Sequence, residues 1–546
     1  MLNLMIIFAF LFIPHTLMAE SLSVDLIIHN ANIVTMEKDH PKVESMAIAG
    51  GKIIAIGKSA EILNGYKSSR IIDLKKRHVL PGLIDSHGHI HSLAQKNSKA
   101  SLDGSKSIGE VIQRLKDFAP RSHSKWLLGR GWDQNLWPGQ KFPTKEDLDA
   151  AFPDTPVYLT RVDGHASWVN SRALALAGVD RNTKNPEGGI VVKDESGEPT
   201  GVLIDRASNL IRPFLPRPSH DDIKANLKLA MKELSSLGIT SIHDAGLDAD
   251  NFERLEELKS EGELKVRVYG MFSGTGQSFK PFCRKGPVVD PMLSLRSVKL
   301  FMDGALGSRG AALLHDYSDQ PGHQGLLLKT PTEINEAVLT AYKCGFQVGV
   351  HAIGDRGNRL VLDAIENAIK ETKRHDLRPR IEHAQVLHPS DIKRFKSSGV
   401  IASMQPVHAT SDMLWAEQRL GPVRILGAYA WRSLLDLGVV LASGSDFPIE
   451  RANPFEGIYA AVTRKDKSGS PRAGWYPSQK ITREEALMSF TRGGAFASFM
   501  ENEIGSLGPG KYADFIVVDR DIFSVPESEI ISTKVLETYL NGKKVY

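Results

Sequence analysis

Residues 79–89 read Val79-Leu-Pro-Gly-Leu-Ile-Asp-Ser-His-Gly-His89. The apolar β-type run Val79–Asp85 ends in a cluster of polar groups. Seven more short β-type runs follow at wide intervals: Ile239–His243, Val266–Tyr269, Val298–Phe301, Gln347–His351, Arg380–His383, Val400–Met404 and Val439–Asp446. Runs this short and this apolar suit parallel strands buried on both faces. Amphipathic stretches with helical periodicity separate them, at 221–236, 251–261, 331–344, 356–373 and 388–397. Eight β–α steps predict an α/β fold, a closed (β/α)8 TIM-like barrel over residues 80–499.

The gap between the first two strands is too long for one helix, so 96–220 is predicted to be an insertion after strand one. It carries strand-like runs of its own, Lys125–Gly129 and Val157–Arg161. A hairpin is expected from Gly189–Lys193 and Gly201–Ile204, turned through Glu195-Ser-Gly197. Both chain ends are also β-rich. Asp25–His29, Ala47–Ala49, Lys52–Ile56 and Arg70–Asp73 precede the barrel, and Asp514–Asp519, Val535–Leu540 and Lys543–Tyr546 follow it. Neither end buries enough surface to stand alone. One small composite β-sandwich domain, built from 20–79 plus 500–546, is the expected solution.

Composition narrows the function classes. Hydrophobic residues are 41% and charged residues 24%, which excludes a disordered chain and a polytopic membrane protein. A net charge of +4 on 546 residues gives no reason to expect nucleic acid as a partner. The two cysteines, Cys283 and Cys344, exclude a disulfide framework and a Cys-rich metal site, and leave open whether they are bridged. The run Leu4–Ile13, broken by Pro14 and followed by Ala19, reads as an export signal over residues 1–19. It is too short to cross a hydrocarbon core of about 30 Å as a helix. The signal predicts a periplasmic or secreted protein with no stable membrane span once it is cleaved, an uncleaved anchor being the alternative.

The polar residues at the strand ends have the chemistry of metal ligands. In extended backbone, His87 and His89 project to one side, about 7 Å apart at Cα. His351 ends the fifth run, His383 the sixth and Asp446 the eighth, while Lys299 interrupts the apolar fourth. A buried amine is costly unless it is neutral, paired or modified. Barrel chemistry sits at the C-terminal ends of the strands, where these six residues would converge.

With these residues in place, the chain resembles the amidohydrolase superfamily, whose opening motif matches Leu80–His89. Further segments resemble amidohydrolase family 3, the YtcJ-like branch that includes N-substituted formamide deformylases. They are Gly129–Asp133, Asp163-Gly-His165, Lys299–Arg309, His351–Asp355, Ile381-Glu-His383, Ser445–Pro448 and Gly505–Asp514. The resemblance implies an exported metal-dependent hydrolase that cleaves the carbon–nitrogen bond of a small molecule. Opening of a cyclic amide and deamination are the alternatives within the superfamily. A binding or regulatory protein that keeps the barrel without turnover is the alternative outside it.

The resemblance also implies zinc or another divalent transition metal, with two ions expected. His87, His89, Lys299, His351, His383 and Asp446 are the ligands by position. Lys299 matches a lysine that in many members is carboxylated by CO2 and bridges the ions. The other reading of Lys299 is a plain ammonium paired to Asp303 or Asp446 beside one metal. Asp446 is the expected catalytic acid–base. Asp133, His165, His243 and Arg309 are the expected substrate contacts.

Overall fold

The computed structural model describes residues 21–546 except 123, 162–165, 187, 188, 217, 218 and 308. The export-signal run and His165 therefore lie outside the described residues. Eight parallel strands form one sheet: β1 (Leu83–Gly88), β2 (Ile239–Leu247), β3 (Arg267–Ser273), β4 (Leu293–Phe301), β5 (Gln347–Ala352), β6 (Arg380–His383), β7 (Ile401–Met404) and β8 (Leu441–Ser443). Strands consecutive in this set are neighbours in the sheet. A parallel bridge from Gly88 to Phe447 closes the ring.

The helices expected from periodicity form at His220–Ser236, Ala249–Ser260, Pro331–Lys343, Asp355–Thr372 and Pro389–Ser397. Ser219, Asp248 and Thr330 start three of them, each side chain accepting a hydrogen bond from the third backbone N–H of its helix. Leu227, Met231 and Leu234 from the first, and Val361, Leu362 and Ile365 from the fourth, enter one continuous core with the strands. Each such side chain contributes about 1.5–3 kcal/mol by leaving water.

The opening strand differs from the expectation. Val79–Asp85 is not one strand but the junction of two, His78–Pro81 and β1. Pro81 lacks the N–H that would continue the ladder, and Gly82 lies so close to β2 that a Cβ there would meet Thr240 Oγ1 at 2.2 Å. The chain therefore leaves one sheet at Pro81 and enters the barrel at Leu83.

His78–Pro81 belongs to the composite β domain. It pairs antiparallel with Phe515–Val518 from the other end of the chain. That six-stranded sheet lies beside a four-stranded one made of Lys52–Gly57, Ser45–Ala49, Leu26–His29 and Ile71–Asp73. Leu26, Ile28, Met46 and Ile48 share a core with Val79, Phe515, Val517 and Tyr539. Neither terminus supplies that core alone.

The insertion builds a third sheet of six strands, including Leu127–Trp132, Val157–Arg161 and the hairpin Gly189–Lys193 with Pro199–Asp205. Trp132, Trp137 and Trp168 pack against one another inside it, with ring centroids 6.0–6.2 Å apart. Cys283 and Cys344 form a disulfide across 61 positions of sequence. A crosslink closing a loop of that size stabilises by about 4 kcal/mol in the chain-entropy account. No helix among the described residues is long and apolar enough to cross a membrane.

Candidate metal centre

The C-terminal ends of the barrel strands surround a pocket of about 400 Å3. Its floor is formed by His87, His89, Lys299, His351, His383 and Asp446. All six expected ligands therefore meet at one place. Two of them get there through unusual backbone. His383 and Asp446 have φ of 75° and 59°, the left-handed region that non-glycine residues seldom occupy. At the end of β6 this conformation lets His383 join the pocket although Arg380 and Glu382, the alternate residues of the strand, also project toward the centre.

Ligand atoms of His87, His383 and Asp446 lie within 4.8 Å of one another, close enough for one divalent ion. Asp446 Oδ1 is 3.1 Å from His89 Nε2 and 3.6 Å from His87 Nε2. His351 packs edge-on against His383 at 4.5 Å. Its Nε2 is buried without a hydrogen-bond partner, 3.8 Å from Asp303. An imidazole nitrogen left bare in this setting fits a metal ligand, and so does the mixed N and O donor set.

The electrostatics suit coordination. Burial and the nearby Lys299 charge lower the pKa of His87 to about 4, and the same causes lower that of His351 to about 3. Burial and the neighbouring imidazoles His351 and His87 push His383 down as well. All three are neutral at pH 7, the form that binds metal. Burial alone would raise Asp446, but the His89 hydrogen bond first, and then the surrounding imidazoles of His87, His383 and His408, outweigh it and hold the carboxyl below its ordinary range. Burial brings the Lys299 amine down to about 8. That amine lies 3.3 Å from His87 Nε2 and 5.0 Å from the centre of the Phe301 ring. It pairs with neither Asp303 nor Asp446, contrary to the plain-ammonium expectation: among the described residues its only hydrogen bond is to His87.

Sequence reasoning missed the layer beneath. Glu382 is fully buried, and its Oε2 accepts from His87 Nδ1 at 2.5 Å. A carboxylate only accepts, so the His87 proton sits on Nδ1 and the Nε2 lone pair faces the pocket. Arg380 is also fully buried. Its Nε is 2.8 Å from Glu382 Oε1, and its Nη2 donates to Glu382 Oε2, Ser86 O and Ser403 Oγ. Gly349 makes the room: a Cβ there would meet Glu382 Oε1 at 2.8 Å. The signal was present, since Arg380 and Glu382 are charges at i and i+2 in a strand expected to be buried on both faces. His408, in the short helix Pro406–Asp412 that directly follows β7, lines the pocket 3.9 Å from Asp446 Oδ2.

Of the expected substrate contacts, His243, Arg309 and Asp133 are not among the residues that line the pocket. His243 is fully buried below it and takes a hydrogen bond from Arg380 Nη1 at 2.8 Å. An inward position low on β2 makes it part of the barrel interior and keeps it from substrate. Arg309 follows the lining residue Gly307 but turns outward to Asp319 at 2.9 Å. Asp133 sits in the insertion, ion-paired to Arg161 at 2.5 Å, and is not among the lining residues. His165 is outside the described residues.

Known proteins are similar to this chain over most of its length. The model of the amidohydrolase family matches residues 70–546. A putative amidohydrolase, YtcJ, from Bacillus subtilis is 33% identical over 95% of this chain and 98% of its own. An N-substituted formamide deformylase from Arthrobacter pascens is 27% identical over 95% of this chain and 97% of its own. The crystal structure of an uncharacterized metal-dependent hydrolase from Pyrococcus horikoshii superposes with a TM-score of 0.74 at 30% identity, covering 92% of this chain and 99% of that one. A family match over most of the length, joined to a His–His–Asp metal triad at the mouth of the barrel, has one meaning: the chain belongs to the amidohydrolase family, as a metal-dependent hydrolase of carbon–nitrogen bonds.

Proposed function

We propose that the protein is an exported hydrolase of small-molecule amides, with a centre for two divalent ions bridged by a carboxylated Lys299. The observation that carries the two-ion reading is the amine of Lys299. It is buried among His87, His351, His383 and Asp446 and has no carboxylate partner among the described residues. An ammonium there would repel metal, whereas a carbamate would offer two oxygens and a negative charge. His87, His89, Lys299, His351, His383 and Asp446 would hold the ions, with zinc favoured by the imidazole and carboxylate donors.

A divalent ion so held supplies Lewis acidity, polarising the acyl oxygen and bringing the pKa of water from 15.7 to about 7. The chain's own groups do the rest. Asp446, ionised and open to the pocket, takes a proton from the attacking water and delivers it to the departing nitrogen. The new carbon–oxygen bond replaces the carbon–nitrogen bond, leaving a carboxylic acid and an amine. His89 holds the Asp446 carboxylate in place through their 3.1 Å contact. The relative that hydrolyses N-substituted formamides supports an acyclic amide as substrate.

Metal analysis tests this reading. The purified protein is expected to hold about two ions per chain, to lose hydrolysis on chelation, and to recover it with zinc or manganese. Lys299→Ala should bind about one ion and regain part of its activity with a short carboxylic acid. A single ion in the wild type, beside an unmodified Lys299 amine, would overturn the two-ion reading while leaving a one-metal hydrolase.

Export is supported by two features. The Leu4–Ile13 run precedes a small residue at Ala19, and the Cys283–Cys344 disulfide fits an oxidising compartment. Sequencing the mature protein should give Glu20 or an adjacent residue as its first. A soluble cytoplasmic chain that retains Met1 would refute it.

A further inference from the structure

Beyond the metal centre, the pocket is lined by two kinds of residue. Phe301, Ile353, Leu306, Trp415 and Ile449 form an apolar wall. Gln385, Asp412 and Glu450 form a polar one. His408 and Ser411 line the pocket as well, and Gln385, Asp412 and Glu450 present acceptors. Gln385 is 4% exposed and spends its amide N–H groups on Asp412 Oδ2 and the Tyr429 hydroxyl, at 3.1 and 2.7 Å. That orientation leaves its Oε1 facing the pocket with no partner among the described residues.

Asp412 is fixed through the same oxygen, which also accepts from Tyr429 at 2.6 Å, and its Oδ1 has no hydrogen bond among the described residues. Glu450 has no hydrogen bond or ion pair among the described residues, yet lies close enough for its charge to act on Asp412. Burial first, and Glu450 among the lesser causes, push the Asp412 carboxyl up. Two carboxylates line one cavity, and the single neighbouring group whose charge opposes them at Asp412 is His408, which already faces Asp446. The nearby arginines do not balance them, since Arg309 and Arg419 both bind Asp319. Lys299 is the one lining cation among the described residues, and it belongs to the metal centre.

We propose that the outer part of the pocket is a cation subsite. Gln385, Asp412 and Glu450 receive an ammonium carried by the substrate, while Trp415, Phe301 and Ile449 hold the carbon frame that joins it to the scissile amide. The substrate class is then an N-acyl compound with an apolar or aromatic body and a remote amine. Substrates with a carboxylate at that position are rejected, because they would desolvate against like charge. The aromatic rings add to selection for a cation.

This inference rests on the amide-hydrolase reading, and the test separates the two. Three acetanilides that differ only at the para position serve as substrates: 4-aminomethyl, 4-methyl and 4-carboxylate. The wild type is expected to prefer the aminomethyl compound over the methyl one by about tenfold in kcat/KM, and over the carboxylate by about a hundredfold. Asp412→Asn and Glu450→Gln should each lower the cation-to-neutral ratio by about threefold, and together bring it near one. Glu450 sits on a partly exposed loop, so its variant reports even if the Asp412 variant folds poorly.

Calorimetry with the amines 4-(aminomethyl)aniline, 4-methylaniline and 4-aminobenzoate gives the same ranking without turnover. An equal or reversed ranking in binding, or a ranking unchanged in the double variant, overturns the cation subsite. Binding in the expected order without hydrolysis of any anilide upholds the subsite and refutes acyclic amide cleavage for this class.

Discussion

Asp446→Asn is expected to lower kcat by about a thousandfold or more while the protein still binds a divalent ion. The size follows from the two duties the geometry gives one side chain. General acid–base transfer alone is worth about 10^2–10^4 in rate. The substitution keeps an oxygen near His87 and His89, so a donor to the ion survives, but asparagine cannot take the proton of the attacking water. His87 and His383 remain to complete the triad's other two corners. Metal content should fall little, and kcat should fall far more than KM rises. Single-turnover kinetics with metal analysis on the same preparation checks this. A variant that keeps a tenth of the wild-type kcat would remove Asp446 from proton transfer.

The barrel was readable because its strands announce themselves. Gln347–His351 and Arg380–His383 are short β-type runs that stop in a ligand-type residue, and amphipathic helices separate them from their neighbours. The composite domain was readable for a different reason. Leu26–His29 and Phe515–Val518 are each too small to bury a core, so the two chain ends must pool their strands. The break at Pro81 was not foreseen, since an unbroken apolar run hides a change of sheet. Pairing of Cys283 with Cys344 was not readable either, because 61 positions of sequence carry no information about proximity.

At the site, residue type and strand position sufficed for His87, His89, Lys299, His351, His383 and Asp446, which all reach the pocket floor. They failed for His243 and Arg309. A histidine ending an apolar run looks the same whether it meets solvent or lies below the pocket, and β2 continues past His243 to Leu247. The motif around Arg309 carries no signal of its direction, which Asp319 sets. The left-handed backbone at His383 and Asp446 is fixed by tertiary packing: Asp and His enter that region more readily than most non-glycine residues, but nothing local in the sequence demands it. Asp412 and Gln385 escaped notice because each becomes significant only through the Tyr429 hydroxyl they share.

Glu382→Ala is expected to weaken metal binding by ten- to a hundredfold and to destabilise the fold by about 3–5 kcal/mol. Two separate losses produce this. The first concerns His87, whose Nδ1 proton would lose its acceptor, freeing the ring to rotate or to change tautomer. The second concerns Arg380, which is fully buried and would keep its charge without the carboxylate 2.8 Å away. Burial raises the carboxyl of Glu382, but Arg380, His87 and Lys299 outweigh it and hold it far below its ordinary range, so the pair is ionic at neutral pH. Glu382→Gln separates the losses. It leaves an amide oxygen to accept from His87 and removes the charge that balances Arg380, so metal affinity should recover more than stability does. Replacing Arg380 and Glu382 together by methionine should restore much of the stability, because no lone charge stays buried. The double variant should nonetheless bind zinc weakly, because His87 is still unsupported. Competition with a chromophoric chelator measures the affinity, and thermal midpoints of the metal-free proteins measure the stability. If zinc binds the alanine variant as tightly as the wild type, Glu382 does not orient His87, and the charged layer beneath the metal centre serves the barrel alone.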